Sequence, residues 1–329
     1  FLWDGMLLSN GLNPYEATPD LLNQTAPLFS TPISQELYKG MGALSAEHYS
    51  NYPPINQLGF YLASLIGGNS ILANIISIRV LLILSDLGIF WFGIKLLDYL
   101  NRSKKRIGLY FLNPLIIVEL TGNLHWEGLM VFFFIFGLYL IFVKNQWKWA
   151  TIPMAISVAS KLIPLLILPL FWRFLKPKKS MLFGLLILLC LFLFFVPFFL
   201  GADNLSHYLN TIGLWFNRFE FNGSIYYVIR AIGYEVKGYN IIRKLGTVSP
   251  YIILGIVAVF TFIRNNKTPH VLLTGMLFCL SCYFFIATTV HPWYIVSLVS
   301  LAIFTNYSYP LIWSALVVLS YATYGNPDF

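Results

Sequence analysis

The residues of this 329-residue chain that could do chemistry stand at breaks in apolar sequence. Asn123, His125 and Glu127 precede a run from Gly128 to Val143 that holds no charge. Lys161 interrupts the apolar stretch Thr151 to Phe174, and His291 with Pro292 interrupts Ile286 to Phe304. A lysine in a membrane segment costs about 3 kcal/mol and is by default a functional hypothesis; the alternative is snorkelling of its head to the interface. Asp4 and Glu127 are candidate catalytic carboxylates for proton transfer, and Lys161, His125 and His291 can donate to an anion. With Asn123 as N-cap, His125 falls in the first turn and Glu127 just beyond it, where a helix N-terminus favours a carboxylate. Capping explains the asparagine and part of the glutamate, but not the histidine. The pair His125-x-Glu127 lacks the two histidines four apart that a zinc helix uses, so no metal is expected there.

Composition fixes what must position these groups. Hydrophobic residues make up 58% of the chain and charged residues 10%, against about a quarter charged in soluble domains. A hydrocarbon core of about 30 Å takes about 20 helical residues. The runs Met181 to Leu200, Ser249 to Ile263, Val271 to Ala287 and Pro310 to Tyr324 serve, the shorter ones helped by aromatic flanks. Lipid leaves no partner for open sheet edges, so the expected fold is an all-α, polytopic transmembrane helical bundle with an outer loop region carrying short interfacial helices. Residues 1–54 form the expected non-cytoplasmic segment and residues 55–329 the multi-helix membrane domain, with a further outer loop at about 201–248. Pro54 to Ile66 is too short to span comfortably and reads as a short or dipping helix.

The net charge of +8 is not a nucleic-acid signal, because of where the charge sits. Arg102, Lys104, Lys105 and Arg106 share one connector; Lys144 and Lys148 a second; Arg173, Lys176, Lys178 and Lys179 a third; Arg264 and Lys267 a fourth. None of the four contains an acid, and the positive-inside rule makes them cytoplasmic. The polar breaks at 123–127, 160–161 and 291–292 then fall on the opposite face. The first 54 residues carry Asp4, Glu16, Asp20, Glu36 and Glu47 against Lys39 alone, which suits an outer segment. An outer segment needs something upstream to carry it across, and the chain opens at Phe1 without an initiator methionine, so an incomplete or processed N-terminus is expected.

Other positions are less specific. Asn13-Pro14-Tyr15 is a turn signal, and Tyr52-Pro53-Pro54 stiffens entry into a helix. Ser224 could cap an amphipathic helix running to Gly233, of a kind that lies at a membrane surface. Arg79 and Asp86, seven apart on one helical face, suit pairing between helices better than catalysis. Cys190, Cys279 and Cys282 all lie in apolar runs, so they offer neither a disulfide framework nor a metal quartet.

The stretches FLWDGMLLSNGLNPYEATP, NYPPINQLGFYLASL, NPLIIVELTGNLHWEGLMV, SVASKLIPLLILPLF and TVHPWYIVSLVSLA resemble, in order and over most of the chain, the polytopic GT-C glycosyltransferases that use polyprenyl-phosphate sugars. Within these the chain is most similar to the mannosyltransferase branch that includes the enzyme adding the first mannose to GPI anchors, and its bacterial relatives. The resemblance implies an inverting transfer of a hexose, mannose above all, to a glycan or lipid acceptor on the non-cytoplasmic face. The setting would be a bacterial plasma membrane, or the endoplasmic reticulum in a eukaryote. It places an acidic motif, the family's general base, just upstream of the segment matching Leu2-Trp3-Asp4. Partners are then membrane lipid, a lipid-linked sugar donor and the acceptor. No tightly bound cofactor is implied, and a divalent metal is not obligatory for a lipid monophosphate. On this reading Asn13, Tyr15, Tyr52, Asn123, His125, Lys161, Arg218, Arg230 and His291 bind substrate. Lys161 has the donor phosphate as its partner, and Tyr52 reaches a sugar or phosphate oxygen.

Two further classes fit the composition. A lipid-linked sugar transporter or flippase also buries charges, but usually shows internal repeats, and none is evident here. A non-catalytic membrane subunit needs no upstream acids. A membrane acyltransferase would have to recruit its histidine from His125 or His291 without further support.

Overall fold

In the computed structural model residues 1–217 and 219–324 are described; Arg218, one of the expected binding residues, lies outside them. The described residues form helices and no strands, apart from one isolated bridge between Phe221 and Thr289. Four helices are long and apolar enough to cross a membrane, five if one sharply bent pair counts as a single span. The chain is thus an all-α polytopic bundle, and its repeated apolar spans mark an integral membrane protein.

Helix α1 (Leu2–Ser9) opens the chain. Three further helices follow at Pro19–Thr25, Pro32–Met41 and Ala43–Ala46; Thr18 and Thr31 cap the first two by accepting from the backbone N–H three residues on. Helix α2 (Pro54–Gly67) is the short helix expected after Tyr52. It lies against α1 so closely that a Cβ on Gly5 would collide with the Phe60 carbonyl. Helix α3 (Ile71–Tyr99), 29 residues long, carries Arg79 and Asp86 within its apolar run and is long enough to cross a membrane. Arg79 turns out to face a neighbouring break: its Nε donates to the Thr121 carbonyl at 2.9 Å.

Past the first basic connector the chain forms a π-helical turn at Ile117–Gly122 and then α4 (Glu127–Phe142), the two axes meeting at 111°. Helix α5 (Thr151–Ser160) brings the chain back and stops at Lys161, whose backbone is extended. Helix α6 (Pro177–Phe195) spans, and its end at Phe198 packs on Tyr15 of the N-terminal segment. Two helices follow in the segment between spans, α7 (Asn204–Asn217) and α8 (Ser224–Lys237). Ser224 does not cap α8: it is the first helical residue after Gly223, and the helix continues past Gly233 to the left-handed Gly238, the conformation glycine adopts without a Cβ penalty.

Helices α9 (Ile242–Ala258) and α10 (Pro269–Ile286) are the last two long spans. The expected span Pro310 to Tyr324 is instead α12 (Tyr309–Leu316), preceded by the short α11 (Val296–Ala302), and tightens into a 3-10 turn from Val317. It is therefore too short an apolar helix to cross by length alone.

The direction of the helices separates two ends. Helix α3 runs from the Thr121 break to the connector where Arg106 Nε donates to the Ile303 carbonyl at 2.7 Å and Arg102 to the Thr305 carbonyl at 3.1 Å. Helix α4 starts at the same break and ends at the Lys144–Lys148 connector. The polar breaks gather at one end of the bundle, and these basic connectors at the other.

Candidate functional site

The break at residues 117–127 is held by a carboxylate that the sequence reading passed over. Glu119, 1% exposed, lies on the π-helical turn. Its Oε1 accepts from the Tyr321 hydroxyl at 2.6 Å, its Oε2 accepts from Asn123 Nδ2 at 3.1 Å, and His125 Nε2 stands 3.5 Å from Oε2. Asn123 therefore closes the π-turn and does not cap α4, whose N-cap is Trp126 with no side-chain cap. The reason is local. Leu124 adopts φ 61°, a left-handed conformation costly for a bulky side chain, and this reversal places three residues between Asn123 and the helix start. A lone acid in the apolar run Leu115 to Leu120 was the available signal for Glu119.

Glu127 begins α4 and is fully buried. Lys161, where α5 ends, sets its Nζ 3.0 Å from Glu127 Oε1. This is a charge contact outside hydrogen-bond alignment, since neither Glu127 oxygen has a hydrogen-bond partner. The same ammonium lies 5.5 Å from the Tyr52 ring and 5.9 Å from that of Tyr294. Burial pushes the Tyr52 hydroxyl up to about 12 against the opposing pull of Lys161, so it stays a proton donor at any ordinary pH. Trp126 holds α4 to α2: its ring occupies the place a Cβ on Gly59 would need, and Phe60 packs edge-on against it at 5.0 Å.

The two histidines meet across one aromatic ring. Trp293 stacks with His125 at 3.8 Å and with His291 at 4.3 Å. His291 lies in the loop between α10 and Pro292, outside the spanning helices, and burial together with the nearby Lys161 and His125 charges lowers it to about 4. Its Nδ1 is buried without a partner. The segment around Phe221 packs against it: Phe221 N donates to the Thr288 carbonyl at 3.0 Å, Val290 N donates to that of Phe221 at 2.8 Å, and the Phe221 ring lies 5.1 Å from the imidazole.

Asp4 lines a pocket with Tyr52. Its Oδ2 accepts from Ser50 Oγ at 2.6 Å and Gln57 Nε2 at 2.9 Å, and Gln57 also donates to Ser50 at 2.7 Å. Buried polar atoms are nearly always partnered, yet Asn56 Nδ2 and Oδ1 and Gln57 Oε1 on α2, Glu127 Oε2 and His291 Nδ1 have no partner. Unpartnered buried atoms at the Lys161–Glu127 pair and at His291 can receive a polar ligand or water.

The structure thus brings Asp4, Tyr52, Glu127, His125, Lys161 and His291 into one region, with Asn123 behind it. Asn13 and Tyr15 support it from outside. Asn13 Nδ2 donates to the Phe198 carbonyl at 2.6 Å and its Oδ1 accepts from Tyr15 N, while the buried Tyr15 hydroxyl donates to the Tyr52 carbonyl. Arg230 is elsewhere, paired with Glu220 at 2.8 Å in a cluster with Tyr226 and Asn240 that ties α8 to its loop. Among the described residues, no group of three His, Cys, Asp or Glu side chains could hold a metal ion.

A buried ion pair and two histidines where helices break make a polar site set into an apolar helical membrane bundle. Residues 1–175 match the MptA_B family model, described as alpha-(1->6)-mannopyranosyltransferase, N-terminal domain, and since that is more than half of the 329 residues, the chain belongs to this mannosyltransferase family. The matched region contains Asp4, Tyr52, Glu119, His125, Glu127 and Lys161, and ends before His291. No curated protein and no solved structure matches the chain.

Proposed function

We propose that the chain transfers a mannose unit from a polyprenyl-phosphate donor to an acceptor hydroxyl, with inversion, in the manner of GT-C enzymes, and on the non-cytoplasmic face. The observation that carries this is the Lys161–Glu127 pair, with Tyr52 and Tyr294 about it and Asp4 in the same region as Tyr52. A departing phosphate needs cations and donors where its charge develops, and the acceptor needs a carboxylate on the opposite side. Lys161, the Tyr52 hydroxyl and the two histidines supply the first requirement, and Asp4 the second. Glu127 holds the ammonium in place before the anion arrives.

In the step itself the acceptor oxygen bonds to the anomeric carbon while the bond from that carbon to the phosphate oxygen breaks. The electron pair leaves with the phosphate, and the hydroxyl proton passes to Asp4. The family description specifies an alpha-(1->6) linkage; an inverting step that makes an α-linkage requires a β-linked donor. The basic connectors at the far end of the bundle support the outer placement of the site.

The test gives membranes containing the protein labelled polyprenyl-phosphate mannose and compares wild type with Lys161→Ala and His125→Ala. The expected result is transfer of label to a membrane or glycan acceptor, collapsing in both variants. Label carried across the membrane without transfer would replace this reading with the transporter one, and absence of donor binding in folded protein would overturn it.

A further inference from the structure

Beside Asp4 lies a cavity of about 260 Å³ walled by α1, the segment from Met41 to Tyr52, and α7. Trp3, Tyr49 and Tyr52 are among its lining residues, together with Asp4, His48 and Ser50. No lysine or arginine is among its lining residues. A carboxylate without a neighbouring fixed cation repels phosphate, so this is not a second place for the donor's anionic group. The volume falls just under the roughly 300 Å³ at which sites for drug-sized molecules begin, too little for a polyprenyl chain and enough for about one ring.

The walls are pre-formed. Tyr49 stacks on His207 of α7 with ring centroids 3.8 Å apart and planes 8° from parallel, and His207 Nδ1 is 2.9 Å from the Tyr15 carbonyl. Asp4 Oδ2 is taken by Ser50 and Gln57, whereas its other oxygen has no hydrogen-bond partner among the described residues. Flat aromatic walls with a carboxylate that can accept two hydroxyl protons suit a neutral polyhydroxylated ring, whose C–H faces pack on aromatics and whose hydroxyls donate. Tyr52 is shared: it lines this cavity, and its ring lies 5.5 Å from the Lys161 ammonium.

We infer that this cavity is the subsite for one neutral hexopyranose of the acceptor, with Tyr49 as a specificity residue for it, so that the acceptor binds beside Tyr52, the residue that also neighbours the Lys161 ammonium. This rests on the transferase reading above and deepens it.

The experiment measures steady-state transfer by the full chain in proteoliposomes, with polyprenyl-phosphate mannose as donor and octyl α-D-mannopyranoside as acceptor probe. It is paired with direct calorimetric titration of the octyl mannoside alone. The variants are Tyr49→Ala, which removes a wall, and Leu44→Trp, which fills the cavity from a rim residue that is 54% exposed and so leaves the core undisturbed. Each is expected to raise the acceptor KM about 10-fold or more with the donor KM unchanged within about twofold, and to weaken octyl mannoside binding equally. Acceptor KM and direct binding unmoved in both variants, or acceptor and donor KM rising together, would overturn the assignment. Failure of the transferase reading shows differently: wild type would transfer nothing, while the titration would still report whether the cavity holds the sugar.

Discussion

Lys161 and Glu127 separate stability from chemistry when they are changed singly and together. Glu127 has no exposed surface, so Lys161→Met leaves a buried carboxylate without its cation. Breaking a buried pair from one side costs about 3–5 kcal/mol. The reverse change, Glu127→Gln, is expected to cost less, because the Lys161 side chain keeps 21% of its surface exposed and can turn toward water. Removing both charges in Lys161→Met/Glu127→Gln is expected to restore stability to within about 1 kcal/mol of wild type, since replacing both members of a buried pair is often neutral. Transfer behaves otherwise. Loss of a preorganised donor to a developing anion costs about 100- to 1,000-fold in kcat, and the double variant regains none of it. The assays are unfolding in mixed micelles followed by tryptophan fluorescence, and labelled-mannose transfer on the same preparations. A double variant as unstable as Lys161→Met would refute the buried-pair reasoning, and a double variant with wild-type transfer would refute the role given to Lys161.

Glu119→Gln keeps an acceptor for Tyr321 but removes the charge facing His125; at about 2 kcal/mol for a charge-assisted contact, transfer is expected to fall about 30-fold in kcat/KM, and an unchanged value would remove Glu119 from the site. Gly59→Ala places a methyl group where the Trp126 ring lies, so an overpacking loss of about 1–3 kcal/mol is expected in the same unfolding assay, and unaltered stability would show that α2 and α4 are not held this way. His291, lowered to about 4, favours the neutral ring in the folded protein. Its stabilising contribution is complete above its ordinary value near 6.5, is lost as pH falls from there, and amounts to about 3 kcal/mol by pH 4. His291→Gln is therefore expected to flatten the acid limb of the stability profile between pH 6.5 and 4, and an identical limb would contradict that contribution.

The bundle was legible because hydrophobic length is a direct physical requirement of lipid, and runs such as Met181 to Leu200 meet it without help from their neighbours. Helix α3 was harder, because its charges only make sense once Arg79 is seen to reach the carbonyl of Thr121, 42 positions away. His125, Glu127, Lys161 and His291 stood out for the same reason that they are costly: polar groups at membrane depth need partners, and the partners lie on other helices. What the sequence could not show is the local course of the chain between those groups. The π-turn and the left-handed Leu124 arise from packing around Glu119, and no residue in that stretch signals them, so Asn123 looked like a helix cap. Tyr15 looked like a ligand-binding residue, and its burial against Phe198, Phe199 and Tyr208 shows a structural support. The Asp4 cavity is a product of tertiary contact alone, between a loop near residue 49 and a helix that begins at residue 204.

The most direct measurement is the affinity of the purified protein for polyprenyl phosphate, the carrier that remains after transfer, in wild type and in Lys161→Met/Glu127→Gln, which is expected to fold normally. If Lys161 holds the donor phosphate, the dissociation constant rises about 10-fold or more in the double variant, the loss of about 1.4 kcal/mol or more. Equal affinity in the two proteins would contradict the assignment of the phosphate to this ion pair.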